Sequence, residues 1–352
     1  MRAAVLHGSR DIRAEEIPTP EPAPGEALVR VRMTGVCGSD IPRVLSDGAH
    51  FYPIVLGHEI AGEVAAVGDG VEPSLVGRRV AVAPLLPCHA CEQCRAGRYA
   101  QCPNYSFIGS RTNGGLAEYL AAPVANLTVV DGAVPFRDIA FFEPSTVALH
   151  GIRHAGFTPG GDAIVLGAGT IGLFALQWLK ILGAARVAVV DVNPARLETA
   201  RKLGADATFD STGADFLSSV RSWQGGDGFG DVLETAGQNA TMALAFALAA
   251  PHSRVCFIGT SHADLRFDHA TFELMNRKEF TLTGSWMSYS APFPGEEWRL
   301  TAECVADGRL RIIDELVHGT FGLEDVMTAF ALFETAGAVT GKLLFAPDQI
   351  QE

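Results

Sequence analysis

Three glycines do most to limit how this chain can fold. Gly167, Gly169 and Gly172 stand in "VLGAGTIG", between the apolar run Ala163–Leu166 and a helical run that reaches Leu182 and closes at Gly183. Strand, glycine turn and helix in that order read as the start of a right-handed βαβ unit. The first glycine allows a tight turn and the second lets the backbone approach a pyrophosphate. The third lets helix and strand pack closely, and the helix N-terminus favours negative charge. Asp191 ends the next strand, 19 residues after Gly172, where an acid would accept from a ribose hydroxyl. A carboxylate there repels a 2′-phosphate, so NAD is expected rather than NADP. Thr170 and Ile171 complete the turn, and Arg196 follows in the first turn of the next helix. These seven residues are the candidate cofactor contacts.

The pattern continues on both sides of the turn. Arg186–Val190, Val232–Glu234, Arg254–Gly259 and Phe280–Thr283 read as further strands, with Ala240–Ala250 a helix between two of them. Asn193 is a good N-cap, Pro194 suits the first helical position, and Gly204 can end that helix. Strands alternating with helices predict a parallel doubly wound sheet. Ala163–Ala185 is apolar enough to suggest a membrane span, but Lys180, Gln177 and four glycines interrupt it, which a buried strand, turn and helix explains better. The stretch before residue 148 differs. Ala3–Leu6, Ala27–Met33, Ile60–Val67, Arg79–Ala83 and Leu116–Ala121 are short β-like runs separated by Gly, Pro and Asp. They predict a small β-barrel or sandwich. Pro18, Pro20, Pro22 and Pro24 predict an extended loop that cannot be a central strand.

Four of the seven cysteines lie within fifteen positions, as Cys88, Cys91, Cys94 and Cys102. Four thiolates close a tetrahedron around Zn²⁺ and leave no position for substrate, so this reads as a structural zinc. Little in the loop from Pro87 to Pro103 is apolar, and metal would supply its order. Cys37 in "GVCGSD" and His58 in "LGHEIAG" are also good ligand types, but residue type and spacing alone do not join them. Cys256 and Cys304 read as packed thiols, and His7, His154, His252, His262, His269 and His318 receive no role.

Composition excludes several classes. Lys+Arg is 27 and Asp+Glu 40, a net charge of −13, which argues against nucleic-acid partners and anionic membranes. With 48% hydrophobic and 19% charged residues the chain is globular. "MRAAVLHGSRDIR" reaches charge too soon for a secretory leader, so a cytoplasmic location is expected.

Taken together, "GVCGSD", "GHExxG", the four-cysteine lobe and "GAGTIG" resemble the zinc-dependent medium-chain dehydrogenases in order and distance. "GSDIPRVLSDGAHFYPIVLGHE", "PLLPC", "FIGSR", "FFEPSTVALHG" and "GSWMSYSAPFPGEEW" narrow the resemblance to members that oxidise sugar alcohols, phosphorylated ones included. The resemblance implies a GroES-like β-barrel catalytic domain over 1–147 and a Rossmann cofactor domain over 148–285. The segment 286–352, ending in "GKLLF", would return to the first domain, with the active site in a cleft between the two. It implies a catalytic zinc on Cys37, His58 and Glu143, with Glu59 close to the metal and Ser39 passing on the alcohol proton. Many family members place a His five residues after the ligand cysteine, where this chain has Pro42; water, His50 or Glu59 is left to complete the relay.

A secondary hydroxyl would become a ketone, the substrate oxygen on zinc and hydride passing to NAD. Arg43, His50 and Arg111 are candidates to meet a substrate phosphate, and Trp286 an apolar wall or a core residue, as Tyr289 is too. Free polyols such as altritol, galactitol, sorbitol or xylitol, or threonine or a simple alcohol, are alternative substrates. A purely structural protein fits the intact ligand set poorly. The resemblance also implies a homo-oligomer, dimer or tetramer, joined through the cofactor domains, whose last strand would lie near Phe280–Thr283.

Overall fold

In the computed structural model, which describes residues 1–261, 263–335 and 337–348, one unit grows from the strand Glu26–Gly35. His262 lies outside the described residues. Buried and half-buried positions alternate along most of this strand, the signature of a sheet with one face on a core. Glu59–Val67 pairs antiparallel on one side of it and the C-terminal strand Lys342–Phe345 on the other. Arg79–Val82, Leu127–Val129, Val317–Phe321 and Tyr119–Pro123 complete a seven-stranded sheet. Val29, Val31, Ile60, Val64, Val80 and Val82 fill one core. Leu6, Leu56, Phe330, Leu343 and Phe345 fill a second, under the sheet of Arg2–Gly8, Asp11–Glu16 and Ile54–Val55. This unit comprises Met1–Glu143 and the chain from Tyr289 onward. The four prolines after Ile17 lie in irregular chain.

The other unit is Pro144–Ser288. Its six strands are Asp162–Leu166, Arg186–Asp191, Ala207–Asp210, Phe229–Glu234, Ala249–Phe257 and Thr281–Gly284. All pair in parallel, and their spatial order is third, second, first, fourth, fifth, sixth. That is the doubly wound dinucleotide order. Ala163–Leu166 and Val187–Val190 are buried throughout, as strands covered on both faces must be. Asn193 caps the helix Pro194–Lys202 by accepting from the backbone N–H groups of Ala195 and Arg196. Cys256 in this unit and Cys304 in the other are buried.

Two sequence expectations need correcting. The helix Asn239–Leu248 stops short of Ala250, because Ala249 already begins the next strand. Pro251 follows and disfavours helical backbone at the residue before it. Leu116–Ala121 is not one strand either. Leu116 exchanges backbone bonds with Leu56 and Ala4, and Ala117 bridges Ala3, so the ladder strand begins only at Tyr119. Among the described residues no helix is long and apolar enough to cross a membrane.

Candidate active site and metal centres

The pairing of two strands brings the first group of site residues together. Gly35 at the end of one strand lies opposite Glu59 at the start of its partner. Cys37 therefore leaves the sheet beside His58, although 21 positions separate them in sequence. The imidazole is buried, with Phe107 edge-on at 5.5 Å. Asp40, 1% exposed, stands behind it. Its Oδ1 lies 3.6 Å from His58 Nδ1, and its Oδ2 accepts the Cys37 backbone N–H at 3.2 Å. Burial alone would depress the His58 pKa; Asp40, then Cys37 and Glu143, carry it up to about 10. Glu143, half-buried in the first turn of the helix Phe142–His154, is pushed up to about 7 by burial, against His58 and with Glu59. Ser39 sits at the N-cap of the helix Asp40–Leu45, yet its side chain caps nothing. Its Oγ instead accepts from Arg43 Nη1 at 2.9 Å.

This set suits a divalent cation. A buried imidazole and the Cys37 thiol stand among the carboxyl groups of Asp40, Glu59 and Glu143, the donor types that such a cation takes. Among the described residues, however, Cys37, His58 and Glu143 do not bring their donor atoms within the 4.8 Å of one another seen for the four thiols.

Cys88, Cys91, Cys94 and Cys102 do gather to that closeness. A short helix, Glu92–Arg95, starts at Cys91, whose Sγ accepts the Cys94 backbone N–H. Cys102 Sγ accepts the Cys88 N–H at 3.4 Å. Backbone N–H groups of Ala90 and Cys91 pull the Cys88 thiol down to about 6, while burial pushes Cys94 up to about 12. Four convergent sulfurs, several already receiving N–H bonds, fit a thiolate-bound zinc. His89 stays exposed, against Tyr99 and Phe293.

In the Pro144–Ser288 unit the glycines act differently from one another. A Cβ at Gly172 would overlap the Gly167 carbonyl oxygen. Gly169 has nothing within 4 Å of a built Cβ, and it opens the helix Thr170–Ile181 without a side-chain cap. Free N–H groups and open space at one helix N-terminus fit a pyrophosphate. Asp191 accepts the Ala168 N–H at 2.6 Å and the Asn193 N–H at 2.8 Å. Two acceptor positions of its carboxylate remain for a ribose hydroxyl. Arg196 is half-buried at the start of its helix.

Residues 23–132 match the alcohol dehydrogenase GroES-like domain, and residues 170–305 the zinc-binding dehydrogenase domain. The chain is 40% identical over 328 residues to galactitol 1-phosphate 5-dehydrogenase of Escherichia coli K12, covering 92% of each. It belongs to the zinc-binding dehydrogenase family. This zinc-binding dehydrogenase is therefore an oxidoreductase, with a GroES-like domain joined to a Rossmann domain. The crystal structure of galactitol-1-phosphate dehydrogenase from Escherichia coli matches it at a TM-score of 0.91 and 39% identity, covering 99% of this chain and 100% of that one. Sorbitol dehydrogenase of Bacillus subtilis is 33% identical over 264 residues, 74% of this chain and 75% of the relative. A structure described as a short chain alcohol dehydrogenase of E. coli CFT073, complexed with NADH, matches at a TM-score of 0.88 and 28% identity over 99% of each chain.

The substrate candidates are placed less favourably for binding an anion. Arg43 Nη1 is engaged by Ser39 O, Ser39 Oγ and Asp40 Oδ1. His50 is exposed, and Arg111 lies over the Tyr105 ring at 4.2 Å. Trp286 is 51% exposed, so it is not a core residue of its unit; Tyr289 is, with its hydroxyl accepting the Leu85 N–H. Sequence reasoning missed Asp40 and Lys342. "GSD" holds Asp40 in view, but nothing local reveals that it is buried behind an imidazole. Lys342 stands in an apolar strand, and its partner is far away in sequence.

Proposed function

We propose that this enzyme oxidises a secondary hydroxyl of a sugar alcohol, or of a sugar-alcohol phosphate, to a ketose with zinc and NAD. The observation that carries the reading is the buried His58 with Asp40 behind its imidazole and the half-buried Cys37 and Glu143 contributing to its charge environment. Cys37, His58 and Glu143 would hold the catalytic zinc, and the four-thiol lobe a structural one. When bound, zinc acts as a Lewis acid on the substrate hydroxyl and the nicotinamide accepts hydride. Asp40 orients His58 as a metal ligand and keeps the donor nitrogen fixed. Ser39 accepts one hydrogen bond from Arg43, so its own proton is left to exchange with a substrate hydroxyl. Gly169 and the following helix would take the pyrophosphate, Thr170, Ile171 and Arg196 would border it, and Asp191 would take the ribose and disfavour NADP.

The relative's phosphorylated substrate makes galactitol 1-phosphate the first substrate to try. A specific observation favours the second reading, a free polyol: Arg43 is already engaged, and His50 and Arg111 are solvated. The likeness to sorbitol dehydrogenase supports the same choice. The strand Thr281–Gly284 lies at the edge of its sheet with Leu282 exposed, which supports association through that strand into a homo-oligomer.

The test is NADH formation with galactitol 1-phosphate beside galactitol, sorbitol, altritol, xylitol, threonine and a simple alcohol. A preference of about a hundredfold for the phosphate is about 3 kcal/mol in the transition state and requires a dedicated phosphate contact. Preference for a free polyol selects the second reading. No turnover of any polyol overturns both.

A further inference from the structure

Val29 and Val31 of the strand Glu26–Gly35 are buried in the core, while Arg30 and Arg32 reach the chain that leaves the last strand. Arg30 Nε donates to Asp348 Oδ2 at 2.5 Å. Arg32 has a poorer share of that carboxylate, with its Nη1 3.4 Å from the same oxygen. Arg32 Nη2 makes no hydrogen bond among the described residues, and Glu63 Oε2 is 3.9 Å away. Nε is buried without a partner. The Arg32 side chain is only 19% exposed. A guanidinium has five N–H donors, and one long bond leaves this covered one short of acceptors.

A cavity of about 310 Å³ opens beside it. Small-molecule sites run from about 300 to 1,000 Å³. The strand ladder is irregular between Val31 and Met33, which lets the neighbours Arg32 and Met33 line one cavity although successive strand residues ordinarily face opposite ways. Phe136, from the short helix Phe136–Ile139, and Ala346 extend the apolar wall. The Phe136 ring has the guanidiniums of Arg79 and Arg32 at 4.5 and 5.8 Å from its centre. Arg137 also lines the cavity, but its nitrogens go to Asp138, Asp314 and Ile312 O. Of the two lining arginines, Arg32 is the one with donors to spare.

We propose that this cavity binds a small organic monocarboxylate with an apolar or aromatic stem. The carboxylate accepts from Arg32, and the stem packs on Met33, Phe136 and Ala346. Carboxylate geometry matches the planar guanidinium fork. One negative charge suits the site better than the two of a phosphate, because Asp348 and Glu63 already stand within 4 Å of that guanidinium. None of the lining residues belongs to the candidate active site or the four-thiol lobe, so the proposal is independent of the metal reading.

The experiment titrates benzoate into the whole protein by calorimetry. Benzamide keeps the ring without the charge, and acetate keeps the charge without the ring. Benzoate is expected to bind saturably, about tenfold or more tighter than either control, and to raise the thermal midpoint. Arg32→Met is expected to weaken benzoate about tenfold or more and to leave benzamide little changed. Ala346→Leu fills the cavity and is expected to weaken benzoate by at least the same factor; this arm decides the matter if Arg32→Met does not fold. Benzoate held equally well by wild type and Ala346→Leu sits elsewhere, which overturns the proposal. Equal affinity for benzamide or for acetate overturns the ligand class, and no saturation up to about 10 mM benzoate overturns the site.

Discussion

Oδ1 of Asp40 lies 3.6 Å from Nδ1 of His58, and both residues are buried. A carboxylate behind a ligand histidine orients the ring and raises its basicity. Asp40→Asn keeps the shape and removes the charge. We expect affinity for the second zinc to fall about 10–100-fold, with the thiolate zinc retained. Chelator competition followed by metal analysis measures both.

The same relationship sets a pH dependence in the metal-free protein. His58 is raised from 6.5 to about 10, so its protonated form is favoured by folding. That contribution is complete below 6.5 and is lost as pH rises towards about 10. Zinc takes the deprotonated ring, so loaded protein lacks this decline. Denaturation midpoints against pH, with and without zinc, give the comparison; identical slopes would contradict it.

The glycine turn separates folding from binding. Gly172→Ala forces a Cβ into the Gly167 carbonyl and to 2.8 Å from Thr235 Oγ1. A loss of about 2–3 kcal/mol in unfolding free energy is expected. Gly169→Ala meets nothing within 4 Å, and the backbone φ of −72° suits alanine. Its stability should stay within about 0.5 kcal/mol of wild type, while its Kd for NAD rises about tenfold or more. Calorimetry and NAD titration on both variants test the split.

Cys94→Ser removes one of four gathered sulfurs. We expect zinc content to fall by one ion per chain and the thermal midpoint to drop by several degrees, because few apolar contacts order the lobe without metal. Metal analysis with a melting curve checks this; full zinc content in the variant would refute the four-thiol site.

How legible each feature is in the sequence depends on how local it is. The turn at Gly167–Gly172 and the four thiols each occupy one short stretch, so spacing alone carries their geometry. The parallel sheet follows from the alternation of apolar strands and helices, and only element ends shift. Ala249 and Ala250 move from helix to strand because Pro251 follows them. Resemblance, not spacing, was needed to connect Cys37, His58 and Glu143. Trp286 and Tyr289, three positions apart, differ completely in burial, which no local pattern reveals.

By itself, then, the sequence determined a dinucleotide turn and a four-thiol lobe, whose residues are near neighbours in the chain, and it marked two kinds of sheet through the local apolar pattern of their strands. Tertiary structure decided the rest. Strand register set Gly35 against Glu59 and brought Cys37 to His58. Burial turned Asp40 into the partner of an imidazole. The returning C-terminal strand carried Lys342 to Glu59 across 283 positions. Charge pairs of this kind form only where the closed sheet excludes water, and no local stretch of sequence specifies that exclusion.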